Sequence, residues 1–150
     1  MSTMSTAVWT EAGELFTFGH GGHGLLGHGG IQAELVPRLV EALVGKKVVG
    51  AAVAYYHTVV WTEEGELFTF GHGGHGKLGH GGIENEPVPR LVEALVGKTV
   101  VGASAVGGYT AVWTEEGELF TFGHGGFGQL GHGGGEDEPV PKLVEALLED

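Results

Sequence analysis

Histidines are the residues best suited to chemistry in this chain. His20, His23 and His28 form an H-x2-H-x4-H pattern in a Gly-rich stretch, and His72, His75 and His80 repeat it. Neutral imidazole is a common transition-metal ligand, and a flexible loop can fold round an ion. Against that use, a third copy keeps His124 and His132 but has Phe127 in the middle place, and no carboxylate or thiolate lies inside the triplet. The sequence therefore assigns no metal and keeps His20, His23, His28, His72, His75 and His80 as weak candidate ligands. Carboxylates cluster too: Glu63, Glu64 and Glu66, then Glu115, Glu116 and Glu118, with Glu84, Glu86, Glu136, Asp137 and Glu138 ahead of prolines. Paired carboxylates do acid–base work when burial separates their pKa values. These sit in hydrophilic turns, so solvation is expected, and they read as an acidic rim for a basic partner. No Ser/His/Asp arrangement can be nominated. The glycines at 19, 21, 22, 24, 27, 29 and 30 suggest a phosphate cradle, but neither the helix N-terminus nor the Lys of such a loop follows. No catalytic residue and no cofactor are assigned, and the expected class is non-enzymatic.

These residues recur because the chain does. Trp9, Trp61 and Trp113 mark the same place in three near-copies, 52 residues apart. A fixed period in this range indicates a solenoid, a propeller or an array, in which no copy buries its apolar faces alone. The copies run approximately 1–44, 45–96 and 97–150, read together as one domain.

Within one copy, Val48–Val53 and His57–Thr62 read as strands, Glu63–Glu66 as a turn with Gly65 in the left-handed conformation, and Leu67–Phe70 as a third strand. The apolar residues of Leu67–Phe70 fall on both faces, so both faces must be covered. Gly71–Gly82 is loop. From Val88 to Leu95 the helical spacing of Leu91, Val92 and Leu95 competes with an outer strand, where Pro89 is tolerated. The outer strand is preferred, because four short strands per copy complete a propeller blade. The counterpart of Lys47–Val53 does not precede the first hairpin, which leaves eleven strands.

The run from His57 to Gly71 resembles the hairpin of the regulator of chromosome condensation repeat. Gly128-Gln129-Leu130-Gly131-His132-Gly133 matches that family's Gly-Gln-Leu-Gly-His-Gly loop, and Gly76-Lys77-Leu78-Gly79-His80-Gly81 nearly so. The resemblance implies an all-β fold of propeller blades: three four-stranded antiparallel sheets, the first lacking its opening strand. It implies structural roles for Gly27, His28, Gly79, His80, Gly131 and His132. Trp9, Trp61 and Trp113 stand where the family has an aliphatic residue, and core packing between blades is their expected role. The family's light-sensing Gly-Trp-Arg-His-Thr motif is absent, so photoreception is not carried over.

Three blades are fewer than a closed propeller needs. The expected remedy is oligomerisation, with a homodimer closing a six-bladed ring and Met1–Thr6 substituting for the missing strand. An excised or designed repeat without an evolved activity is the other explanation. The expected role is a non-catalytic protein-binding or self-assembling scaffold, with another protein as the alternative partner. Guanine-nucleotide exchange on a small GTPase is the rival that the resemblance suggests. A formal charge of −12 with seven Lys and Arg argues against nucleic acid, which binds through cation-driven counterion release. The chain has no Cys and no apolar run near the roughly 20 residues that span a bilayer, so no membrane is expected. The cytoplasm is the expected compartment, with the nucleus also open.

Overall fold

A computed structural model describes residues 4–147. Among them are eleven strands in three antiparallel sheets. The first sheet holds β1 (Ser5–Trp9), β2 (Leu15–Gly19) and β3 (Glu34–Leu39). The second holds β4 (Val48–Val53), β5 (His57–Thr62), β6 (Leu67–Gly71) and β7 (Glu86–Leu91). The third holds β8 (Val100–Val106), β9 (Tyr109–Thr114), β10 (Leu119–Gly123) and β11 (Glu138–Leu143). Each sheet is a simple meander. The first has three strands because β1 is the counterpart of β5, and among the described residues nothing corresponds to β4. Part of the Met1–Thr6 segment expected to supply a substitute lies outside the described residues. Its Ser5 and Thr6 belong to β1 itself.

Local chemistry explains the strands. Gly65 closes the β5–β6 hairpin with φ 87, and its N–H donates to the Thr62 carbonyl at 2.9 Å. The ambiguous fourth element is both things in sequence. It is an outer strand that begins at Glu86, earlier than expected, and it passes into a 3-10 turn over Glu93–Leu95. The ladder with β6 pairs Phe68 with Leu91 and Thr69 with Arg90, then shifts register before Gly71 meets Glu86. Pro87 and Pro89 fall in that interrupted stretch at the sheet edge, where a residue without an N–H does least harm.

Packing follows position along the arc. β6 in the middle sheet is buried at all five positions, whereas β2 and β10 are only partly so. One core fills the space between the first and second sheets: Leu15, Val40, Leu43, Val48, Val60, Phe68 and Phe70. A second fills the next gap: Val59, Leu67, Val92, Leu95, Val100, Ala103, Val112 and Phe122. The middle blade is thus sandwiched, and each outer blade keeps an uncovered face. That face exposes apolar surface of the kind that marks an interaction site.

Candidate functional site at the blade junctions

Each Gly-rich loop is shaped by its own blade and handed to the next. In the second copy, Thr69 donates its hydroxyl hydrogen to the Leu78 carbonyl at 2.7 Å, and His80 Nε2 lies 2.8 Å from the same Oγ1. The hydroxyl proton is spent on Leu78, so His80 must donate from Nε2. Thr17 and His28, and Thr121 and His132, repeat this bond at 2.8 and 2.9 Å. The three loop histidines are therefore struts across the loop, with a side-chain hydroxyl as partner. Burial, followed by the Arg90 charge, pushes His80 down to about 4. His28 is lowered for the same reasons, burial first and then Arg38.

The loop then seats on the following blade through four repeated contacts. Thr58 donates to the Leu25 carbonyl at 2.9 Å, and Thr110 to that of Lys77 at 2.8 Å. Gly29 donates to Pro87 and Gly81 to Pro139, both at 2.9 Å. A Cβ on Gly24 or Gly76 would lie 2.3 or 2.4 Å from the Cα of those prolines. A Cβ on Gly27 or Gly79 would lie 2.9 or 2.8 Å from the ring of Phe70 or Phe122. The glycines are thus required by close approach between blades as well as by positive φ.

The two ends of the arc carry the unmatched halves of this junction. On the third blade, among the described residues, a Cβ on Gly128 or Gly133 would meet nothing within 4 Å, and one on Gly131 would meet only Val144 of its own blade. On the first blade, Thr6 is exposed where Thr58 and Thr110 are buried, and Phe18 is half-buried where Phe70 and Phe122 are fully buried. Leu35, the counterpart of Pro87 and Pro139, is 93% exposed.

The histidine triplets do not converge within a copy. His28 and His80 face threonines, and His72 Nδ1 takes the Lys77 ammonium. His23 instead crosses to the next blade, its ring centroid 4.7 Å from that of His72. His20 lies exposed at the uncovered side of the first blade. At the second junction His75 reaches His124, with centroids 4.5 Å apart, and its Nδ1 lies 2.9 Å from Asp137 Oδ2. One ligand atom from each of His75, His124 and Asp137 falls within 4.8 Å of the others. The carboxylate missing inside the triplet comes from the neighbouring blade. Asp137 could have been singled out by comparing copies, because the matching position is Asn85 in the second and Ala33 in the first.

Two buried groups were not singled out in the sequence. His57 is fully buried, with Nε2 2.9 Å from Thr110 Oγ1 and, among the described residues, no hydrogen-bond partner on Nδ1. Burial, then the Lys77 and His72 charges, lowers it to about 3. Lys77 occupies the place of Gln129, and burial lowers its amine to about 8. The hairpin carboxylates stay at the surface, where Glu66 pairs with Lys46 and Glu118 with Lys98, both at 2.9 Å.

The tryptophans correct an expectation. Trp61 packs against the second core, but Trp9 and Trp113 are 44% and 42% exposed. Trp61 and Trp113 lie over the glycine opposite them, since a Cβ on Gly50 or Gly102 would sit 2.1 or 2.2 Å from the indole. Covering a strand glycine, more than filling the gap between blades, is what these rings do. Among the described residues, Trp9 has no such strand to cover. Among the described residues, no helix is long and apolar enough to cross a membrane.

The family model described as regulator of chromosome condensation (RCC1) repeat matches residues 12–61, 64–113 and 116–149. The chain is 38% identical over 148 residues to the E3 ubiquitin-protein ligase HERC2 of Homo sapiens, covering 97% of this chain and 3% of that protein. It is 33% identical over 174 residues to RCC1 domain-containing protein 1 of Mus musculus, covering 92% of this chain and 46% of that one. Human WBSCR16 matches in structure with a TM-score of 0.86 and 25% identity, over 99% of this chain and 38% of the other. Prp20p of Saccharomyces cerevisiae matches with a TM-score of 0.84 and 16% identity, over 95% and 37%. The chain spans less than half the length of each of these proteins.

Proposed function

Since the chain belongs to the regulator of chromosome condensation repeat family, we propose that it is a non-catalytic propeller scaffold that docks head to tail on a second copy and binds protein partners on its loop and hairpin rims. The observation that carries this reading is the pair of complementary open ends. Gly133 offers the N–H that Gly29 and Gly81 donate, and Leu35 offers the carbonyl that Pro87 and Pro139 supply. Thr6 stands ready for the Gln129 carbonyl, and Phe18 for the bare Cα of Gly131. Two such junctions close two arcs into a symmetric six-bladed ring, which removes both exposed faces at once.

The departures between copies support the same pairing. Superposing the repeated junction on the open ends places Phe127 where His75 stands, and Ala33 where Asp137 stands. The polar pair of the internal junction is replaced by an apolar one. Phe127 is 89% exposed in the single chain, and burying a side chain of that size contributes about 1.5–3 kcal/mol.

Binding to a further protein rests on family likeness. Prp20p of Saccharomyces cerevisiae binds Gsp1p and histones, and Kap60 binds yeast RCC1 (Prp20). The acidic hairpin tips suit a basic protein surface.

Light scattering over a concentration series tests the assembly. The expected mass is twice 15.5 kDa, returning to a single chain in Leu35→Asp. A wild type that stays monomeric would refute ring closure. Accelerated nucleotide release from a small GTPase would replace the scaffold role by exchange activity.

A further inference from the structure

We propose that His75, His124 and Asp137 form a binding site for a transition-metal dication of the zinc class, bridging the second and third blades. The donor set is two imidazoles and one carboxylate, with one ligand atom from each inside 4.8 Å. Borderline nitrogen and oxygen donors in this number select zinc, cobalt or nickel over magnesium and calcium. Three protein ligands leave a tetrahedral ion one position for water. The side chains of His75 and Asp137 are about half-exposed, so solvent and ion can enter.

The surrounding chain holds these ligands before any ion arrives. Asp137 Oδ1 accepts the Gly125 N–H at 3.0 Å, which fixes the carboxylate. Gln129 orients the His124 ring: its Oε1 accepts the Phe127 N–H at 2.8 Å and its Nε2–H donates to His124 Nδ1 at 3.0 Å, a hydrogen bond that the neutral ring gives up when either nitrogen takes the ion. His75 is held at φ 62, a left-handed conformation rare outside glycine. Such supporting contacts set ligand orientation at metal sites.

The first junction is a built-in comparison. His23 and His72 approach as His75 and His124 do, and Asn85 accepts the Gly73 N–H at 3.0 Å as Asp137 accepts that of Gly125. Asn85 is a neutral amide, however, and the Lys77 ammonium lies on His72. A cation is disfavoured there twice over. At the second junction the carboxylate is charged and Gln129 replaces the lysine. The geometry therefore points to one site per chain, whether the chain is single or paired, and the bound ion would clamp adjacent blades.

Calorimetric titration of the intact chain with zinc chloride, in buffer free of chelators, tests the assignment. The wild type should take up one equivalent. Asp137→Asn should weaken uptake by at least about tenfold. The double variant Asn85→Asp with Lys77→Gln should take up a second equivalent. Zinc, but not magnesium, should raise the unfolding temperature of the wild type and not that of Asp137→Asn. Equal titrations of wild type and Asp137→Asn would mean scattered binding by His-rich loops and would overturn the site. So would the absence of a second equivalent in the double variant.

Discussion

The Gly81 N–H donates to the carbonyl of Pro139 at 2.9 Å, fastening the loop of the second blade to the outermost strand of the third. The bond joins an exposed loop glycine to a half-buried residue of an edge strand. Its repetition between Gly29 and Pro87 makes it a rule of assembly, and the rule predicts what the open ends will accept.

Gly79→Ala and Gly131→Ala separate junction packing from backbone strain. Both glycines have φ near +80, so both variants carry the left-handed penalty. Of the two, only Gly79 faces an aromatic ring of the next blade, 2.8 Å from where its new Cβ would sit. Gly79→Ala should therefore lose about 2–4 kcal/mol in denaturant titration, against about 1–2 for Gly131→Ala. Gly131→Ala should instead weaken dimer formation.

Thr110→Val removes the donor to the Lys77 carbonyl and the acceptor for His57 Nε2. Both partners are buried and left unsatisfied, so a loss of about 2–4 kcal/mol is expected by chemical denaturation. Thr6→Val, at the exposed counterpart, should leave the unfolding of a dilute chain unchanged and lower the dimer affinity.

His57 makes the fold acid-sensitive. Its folded pKa, about 3, lies below the 6.5 of the unfolded chain. Between those values the unfolded chain binds a proton that the native chain refuses, so stability falls as pH falls through that window. His57→Gln should remove up to about 1.4 kcal/mol of that loss per pH unit. The check is a set of urea titrations between pH 7 and pH 4, and parallel curves for the two proteins would refute it.

Lys77→Gln installs the residue of the third copy. Burial lowers the amine to about 8, so below that pH the native chain holds a charge in a desolvated place. The unfavourable contribution is full at pH 7 and fades as pH rises from about 8 to 10.5. The variant should gain on the order of 1 kcal/mol at pH 7, or about 2–4 °C in melting temperature, and little at pH 10.

The blades were legible in the sequence because the 52-residue period, the Gly65 turn and the proline of the outer strand can all be read along the chain. Apolar residues on both faces of Leu67–Phe70 foretold a sandwiched sheet, and β6 is one. The histidine grouping was not legible. Residues 72, 75 and 80 are neighbours in the chain but face three directions, since one belongs to its own blade's loop and the others look across junctions. Asp137 reaches His75 from 62 residues away. The exposure of Trp9 and Trp113 depends on which blade has a neighbour, and single-copy periodicity carries no information about that.

Cysteine pairing tests the central claim, docking of the third blade's loop on the first blade of another copy, most directly. The chain has no Cys of its own. A Cβ on Gly81 would lie 3.9 Å from Val140 Cγ2, a position that a cysteine sulfur on residue 140 can take, so Gly81→Cys with Val140→Cys should close within one chain and serves as the control. The counterparts across the open ends are Gly133 and Val36. Gly133→Cys mixed with Val36→Cys under mild oxidation should give a covalent dimer on a non-reducing gel. A control that closes while the mixture stays monomeric would contradict the docking.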